Sequence, residues 1–204
     1  MRSGVILAGG RSTRFGERDK AVADLAGVPM IRRVADRLAG TVDELVVNCR
    51  PAQKAGISAA MDGYPLEVGF GLDEQPDRGP VAGIRNGLRA AAGTDAVVVA
   101  CDMPFLDRDL VEHLFERAGP VDAAIPRLDS GWYQPTQAVY RVGPMTAACE
   151  TALETENPRI LAPIDELGET VVVEHAEIEA VASVESFENI NTPEELAAAE
   201  ARFE

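Results

Sequence analysis

The sequence predicts an α/β fold, a single domain built on a doubly wound, mostly parallel sheet with helices on both faces. Two observations carry this. Short β-branched runs alternate with amphipathic stretches of helical period along most of the chain, the pattern of successive βαβ units. The polar residues Gly9, Asn48, Asp73 and Asp102 each follow or end one of those runs, so four separate stretches converge on the carboxyl edge of the sheet. Ligands of such folds bind at that edge. At 204 residues the chain has room for a sizeable core without a second domain.

The elements follow in order. Gly4-Val5-Ile6-Leu7-Ala8 is apolar on both faces and reads as a buried parallel strand. Residues 28–39 read as a helix, with Met30, Ile31, Val34, Ala35 and Leu38 on one face and Arg32, Arg33 and Arg37 opposite. Pro29 suits its first turn. Glu44–Cys49 is a second strand, 54–61 a short helix and 66–70 a third strand. Residues 83–92 are helical, with Ile84, Leu88, Ala91 and Ala92 inward. Asp95–Ala100 is the clearest buried strand, an almost unbroken β-branched run. Leu106, Leu110, Val111, Leu114 and Phe115 mark the next helix.

The second half is less regular. Residues 123–126 and 137–140 read as short strands flanking the segment 128–136, and a helix follows with Met145, Ala148, Cys149, Ala152 and Leu153 on one face. Val171, Val172 and Val173 form a late strand. Thr192-Pro193-Glu194-Glu195 is a capping box with proline at the first helical position, so it opens a last helix. No repeat, low-complexity stretch or linker divides the chain.

Composition narrows the function. The chain carries −15, yet residues 1–37 hold eight Lys/Arg against four Asp/Glu. An acidic protein that concentrates positive charge around one glycine loop is suited to receive an anion there. No basic stripe remains for nucleic acid, and no apolar stretch approaches the ~20 residues of a membrane span. The N-terminus lacks the pattern of a secretory signal. Cys49, Cys101 and Cys149 are an odd count without a C-x-x-C, so buried thiols in a reducing cytoplasm are expected. Strong acidity with only two lysines, Lys20 and Lys54, resembles the composition of proteins from salt-loving organisms.

The loop Leu7-Ala8-Gly9-Gly10-Arg11-Ser12-Thr13-Arg14-Phe15-Gly16-Glu17-Arg18-Asp19-Lys20 is the focus of that charge. Paired glycines after a first strand let backbone N–H groups approach a phosphate, and Arg11, Arg14 and Lys20 add cations. It is neither a Walker A, because Glu17 follows Gly16, nor the G-x-G-x-x-G fingerprint. Asp102, directly after the Asp95–Ala100 strand, has the position of a Mg²⁺ ligand, since magnesium takes one or two carboxylates together with substrate phosphates. The alternative for Asp102 is a turn residue before a helix. His113 and His175 are isolated, and no Ser-His-Asp or Cys-His pattern occurs.

The phrase L-A-G-G-x-S-x-R-F-G-x-x-x-K resembles the signature loop of nucleotidyltransferases that activate sugars, pterins and alcohols, and Gly9-Gly10 most resembles the molybdenum cofactor guanylyltransferase (MobA) branch. Further matches run in order: Asn48; Asp73 to Ile84 with G-P-x-A-G-I; C-D-M-P at 101–104; Q-P-x-x-A-V-Y at 134–140; and N-x-N-T-P-E-E at 189–195. Phe15 stands where the family has methionine, and the Asp77–Gly79 spacing is a residue short. The resemblance implies a Rossmann-like nucleotidyltransferase fold, with a nucleotide half at about 1–105 and an acceptor half at about 106–204. It implies GMP transfer from GTP to molybdopterin, with Mg²⁺ on Asp102 and the triphosphate on Arg14 and Lys20. Leu7, Ala8, Gly9, Gly10, Asn48 and Asp73 would hold the nucleotide. Gln134, Pro135, Asn189 and Asn191 would line the acceptor side, with Trp132 and Tyr133 as flat surfaces beside it. Partners are then GTP and molybdopterin, with transient contact to proteins that deliver or accept the cofactor.

A cobinamide-phosphate guanylyltransferase shares N-I-N-T, and a cytidylyltransferase would carry Ala-Gly in place of Gly9-Gly10. A GTP-binding sensor without chemistry is the reading from another class, and the missing Walker A weighs against it.

Self-repulsion at −15 relaxes with screening. Raising KCl from about 0.1 M to about 1 M shortens the Debye length from about 10 Å to about 3 Å. The thermal midpoint is expected to rise over that range, as differential scanning fluorimetry would record.

Overall fold

A computed structural model describes residues 1–10, 15, 19–73, 75, 78–156 and 158–203. In chain order its strands and helices are β1 (Arg2–Leu7), β2 (Asp24–Leu25), β3 (Val28–Pro29), α1 (Met30–Leu38), β4 (Glu44–Cys49), α2 (Lys54–Ala60), β5 (Val68–Leu72) and α3 (Gly79–Ala90). The second half adds β6 (Asp95–Ala100), α4 (Arg108–Ala118), β7 (Ala123–Arg127), β8 (Gln137–Arg141), α5 (Val142–Ala152) and α6 (Ala162–Asp165). It ends with β9 (Thr170–Glu174), α7 (His175–Glu179) and α8 (Pro193–Glu200).

Seven strands form one sheet in the order β5-β4-β1-β6-β8-β7-β9. The strands β5, β4, β1 and β6 are mutually parallel. β8 runs antiparallel to both β6 and β7, and β9 pairs parallel to β7. The expected fold class therefore holds, with β8 as the one reversed strand of the sheet. Its reversal brings the segment 128–136, between β7 and β8, back to the carboxyl edge of β6, where Ala100 N–H donates to the Thr136 carbonyl at 3.1 Å.

The strands are apolar on both faces because both faces are covered. Adjacent residues divide between two cores: Ile6, Val47 and Val97 pack with α1, α2 and α4 residues, while Val5, Val46 and Val98 pack with α3 and α5 residues. This is the period-two consequence of strand geometry applied to a doubly covered sheet. A third, smaller cluster joins Phe15, Leu25, Met30, Ile190 and Ala199. It draws the C-terminal segment onto the residues that follow the first loop.

Some boundaries differ from the sequence reading. Pro29 is the N-cap of α1 rather than a first-turn residue, because Val28–Pro29 pairs antiparallel with Asp24–Leu25. β5 lies two residues later than expected. Helix α3 starts at Gly79, four residues early, because Pro80 is accepted in a first turn where its missing N–H has no partner to lose. The short α6 and α7 and the β2–β3 hairpin carry too few residues to show a period. The capping box at Thr192 is formed: Thr192 accepts from Glu195 N–H at 3.1 Å, and Glu195 accepts from Thr192 N–H at 3.1 Å. Among the described residues no helix is long and apolar enough to cross a membrane.

All three cysteines are free and buried, as expected. Burial raises the Cys49 thiol from 9.0 to about 11 and the Cys149 thiol to about 12, with nearby Asp73 adding to the first. A folded-state value above the unfolded one stabilises the native state below pH 9.0 and is lost as pH rises toward the folded values. Native thiol labelling at neutral pH is expected to be negligible, and urea-melt stability should fall between about pH 9 and pH 11. Titration of stability against pH with parallel thiol counting checks both.

Candidate functional site

In the order β4-β1-β6 the sheet has its switch point beside β1, so the crevice opens beyond the carboxyl ends of β1 and β6. Backbone bonds past the strand ends fix that edge. Ala8 N–H donates to Asn48 O at 2.8 Å, Cys101 N–H to Leu7 O at 3.0 Å, and Asp73 N–H to Cys49 O at 2.9 Å. A cavity of about 340 Å³ lies there, with Leu7, Gly9, Gly10, Asn48, Asp73 and Gly83 among its walls.

The wall is a hydrogen-bonded unit. Asn48 is 2 % exposed, and its Nδ2 donates to Asp73 Oδ1 at 2.7 Å and to Gly71 O at 2.9 Å. Asn86, from α3, donates to the same Asp73 oxygen at 2.8 Å. Asp73 Oδ2 lies against Gly9, where a Cβ would overlap it. A Cβ on Gly83 would stand 2.6 Å from Asn48 Oδ1, so this glycine lets α3 approach the asparagine. Ala8 does not line the cavity. It is buried beneath it, its carbonyl accepting from Gln53 Nε2 at 2.9 Å.

Gln53, absent from the sequence reading, ties the edge together. Its Nε2 also donates to Asp19 Oδ2 at 2.9 Å, and its Oε1 accepts from Arg50 Nε at 3.0 Å. Asp19 in turn caps the 3-10 turn Lys20–Val22 by accepting from Ala21 N–H at 3.1 Å. That anchoring delivers Lys20. Its Nζ donates to Asp102 Oδ2 at 2.6 Å and to Asn191 Oδ1 at 2.9 Å. The pair is largely buried, with side-chain exposures of 12 % and 17 %. Ile190 N–H donates to Asp102 O at 2.9 Å, which holds the C-terminal segment against the strand end.

Asp102 Oδ1 is buried and has no hydrogen-bond partner among the described residues. An orphaned carboxylate oxygen is costly unless something completes it. A hard cation sharing its remaining ligands with phosphates fits that oxygen and that charge. Among the described residues no group of three or more acidic, His or Cys side chains could hold a metal ion.

Of the expected site residues, Leu7, Gly9, Gly10, Asn48 and Asp73 meet in the cavity, and Lys20, Asp102 and Asn191 meet beside it. Arg14 lies outside the described residues, as do Arg11 and Asp77. Asn189 contacts its own segment, through Phe187 O at 3.1 Å, and does not join Lys20. Gln134 bonds within its loop, to Trp132 O at 3.4 Å, and Pro135 is buried with its carbonyl accepting from Tyr140 Oη at 2.8 Å. Trp132 is 71 % exposed on that loop. Arg50 and Arg78 also line the cavity and were not foreseen. The one signal for Arg50 was its position just past a strand end.

Residues 4–175 match the family described as the MobA-like NTP transferase domain. A protein of Natronomonas pharaonis named probable molybdenum cofactor guanylyltransferase is 51% identical over 202 residues, spanning 99% of this chain and 98% of that one. One of the same name from Haloferax mediterranei is 38% identical over 201 residues, spanning 98% and 94%. Among solved structures, molybdopterin-guanine dinucleotide biosynthesis protein A from Archaeoglobus fulgidus superposes with a TM-score of 0.78 at 28% identity, covering 98% of each chain.

The Gly9–Asp73 contact gives a sharp test of the cavity. Gly9→Ala must displace the Asp73 carboxylate that Asn48 and Asn86 hold, so a nucleotide that binds in this cavity is expected to lose about tenfold or more in affinity, equivalent to about 1.4 kcal/mol. Gly10→Ala meets nothing within 4 Å among the described residues and leaves the Asp73 carboxylate in place, so it should weaken binding less. Calorimetric titration of both variants with GTP compares them.

Proposed function

This chain belongs to the MobA-like NTP transferase family and is a nucleotidyltransferase, and we propose that it transfers GMP from GTP to molybdopterin. The products are molybdopterin guanine dinucleotide and diphosphate. The observation that carries the reading is the meeting of Lys20 and Asp102 at 2.6 Å, next to a cavity walled by Gly9, Asn48 and Asp73.

In this reading a terminal phosphate oxygen of the acceptor attacks the α-phosphorus of GTP. A new P–O bond forms there as the bond to the bridging α–β oxygen breaks, and the electron pair leaves with diphosphate. The nucleophile is already anionic, so the chain need supply no strong base. Its work is positioning and neutralisation. The cavity takes the nucleotide end, with Asn48 and Asn86 fixing the Asp73 carboxylate against it. Lys20, and Arg14 from the same loop, neutralise the triphosphate oxygens. Asn191 gives the Lys20 ammonium a second acceptor beside Asp102 and so fixes its position.

Mg²⁺ would be held by Asp102, whose Oδ1 has no hydrogen-bond partner among the described residues, and would supply charge neutralisation on the phosphates. The nucleotide half is then about 1–105 and the acceptor half about 106–204. In this reading Gln134, Pro135, Asn189 and Asn191 would belong to the acceptor side, with the exposed Trp132 beside them. Cytoplasmic residence suits three free buried thiols.

Asp102→Asn keeps the side-chain shape and removes the charge. It is expected to lower product formation from GTP and molybdopterin about 10²–10³-fold, the loss typical of one electrostatic contact to the reacting group. Lys20→Ala should lose a similar factor and Lys20→Arg less, because lysine acts here as a point charge. Steady-state assay of diphosphate release, with circular dichroism to verify folding, measures both. Full turnover by Asp102→Asn would remove the metal assignment.

A further inference from the structure

A second cavity, of about 410 Å³, lies between the edge strand β5 and the outer face of α3. Its walls include Arg78, Arg85 and Arg89, which are seven and four residues apart and therefore share one helical face. Among the described residues no carboxylate lines it, although Asp and Glu outnumber Lys and Arg by 34 to 19 in the chain. Arg89 pairs with Glu150 at 2.7 Å. The other two guanidinium groups meet neutral oxygens: Arg78 donates to Leu153 O at 2.7 Å, and Arg85 to Asn86 Oδ1 at 2.9 Å and 3.1 Å. Clustered arginines with spare N–H donors are the usual means of holding a phosphate.

The cavity is also wired to the nucleotide cleft. The two share Arg78, Gln75 and Ala82 as walls. Arg85 donates to the Asn86 carbonyl oxygen, while the Asn86 amide nitrogen donates to Asp73 Oδ1 at 2.8 Å. A guanidinium polarising that amide strengthens the bond the amide makes to Asp73, because hydrogen bonds in a chain reinforce one another. An anion that draws Arg85 away weakens it.

We propose that this cavity is a second anion site, taking a phosphate or phosphate-monoester group, and that its occupancy lowers nucleotide affinity through Arg85, Asn86 and Asp73. Linkage makes the effect reciprocal: nucleotide in the cleft weakens the anion by the same factor. The coupling rests on the reading that the cleft takes a guanine nucleotide, whereas anion binding itself does not.

The test is isothermal titration of the full chain with inorganic phosphate and, separately, glycerol phosphate, at ionic strength held constant with KCl. The parent is expected to show a saturable site that Arg85→Ala and Arg89→Ala each weaken about tenfold or more, the scale of one lost charge-assisted contact. Binding of both ligands assigns the site to a phosphate end group, and binding of inorganic phosphate alone to the free ion. Guanosine, which has no phosphates to be displaced, then reports the coupling. Its dissociation constant should rise about fivefold at saturating phosphate. Asn86→Ala should keep phosphate binding and lose that rise. Unchanged phosphate binding in the Arg85→Ala, Arg89→Ala double variant would overturn the site. Guanosine affinity indifferent to phosphate would overturn the coupling alone, and failure of guanosine to bind at all would count against the nucleotide reading and leave the anion site standing.

Discussion

The ion pair between Lys20 and Asp102 is the contact around which the carboxyl edge is arranged. Its two members come from chain segments 82 residues apart, one at the return of the loop after β1 and the other directly after β6. A pair this poorly hydrated is stable only if both charges are held in good geometry, and removing one member of such a pair costs about 3–5 kcal/mol. The surrounding bonds meet that requirement. Gln53 and Asp19 fix the loop's return, Asn191 gives the ammonium a second acceptor, and Ile190 binds the Asp102 carbonyl. The C-terminal segment thus contributes to the site through hydrogen bonds and through the small core beneath α8, which joins Ile190 and Ala199 to Phe15.

The same pair keeps a cation at the carboxyl edge of a strongly acidic chain. Lys20 is held on Asp102. In the proposed reaction a triphosphate with its cation would offer each member a replacement partner, the phosphates for the ammonium and the cation for the carboxylate, so that neither buried group would be left alone. Around it, neutral amides do the orienting: Asn48, Gln53 and Asn86 each bridge two elements, and each satisfies a carboxylate or carbonyl that the fold has buried or half-buried.

Most of the fold was legible in the sequence because a doubly covered parallel sheet writes itself as unbroken apolar runs. β4 and β6 fall at the expected bounds for that reason. The reversed β8 was not legible, since a five-residue buried run carries no sign of direction, and neither were α6 and α7, which are shorter than two helical turns. Of the residues that converge at the carboxyl edge, Gly9, Lys20, Asp73 and Asp102 lie in dense local motifs and were legible for that reason. Gln53, Asn86 and Arg50 were not, because they sit among residues with no motif of their own, and Arg78, inside the Asp73–Ile84 match, was passed over because its partner Leu153 is distant in sequence. Asn191 was foreseen for the acceptor but contacts Lys20, a bond that only the packing of the last segment creates.

The most direct test of this account is a crystal structure of the chain with GTP and Mg²⁺. The account predicts the base in the cavity beside Gly9 and Asp73, the Lys20 ammonium moved from Asp102 onto phosphate oxygens, and the cation on Asp102. A nucleotide bound elsewhere, or one bound here with Lys20 still paired to Asp102, would contradict it.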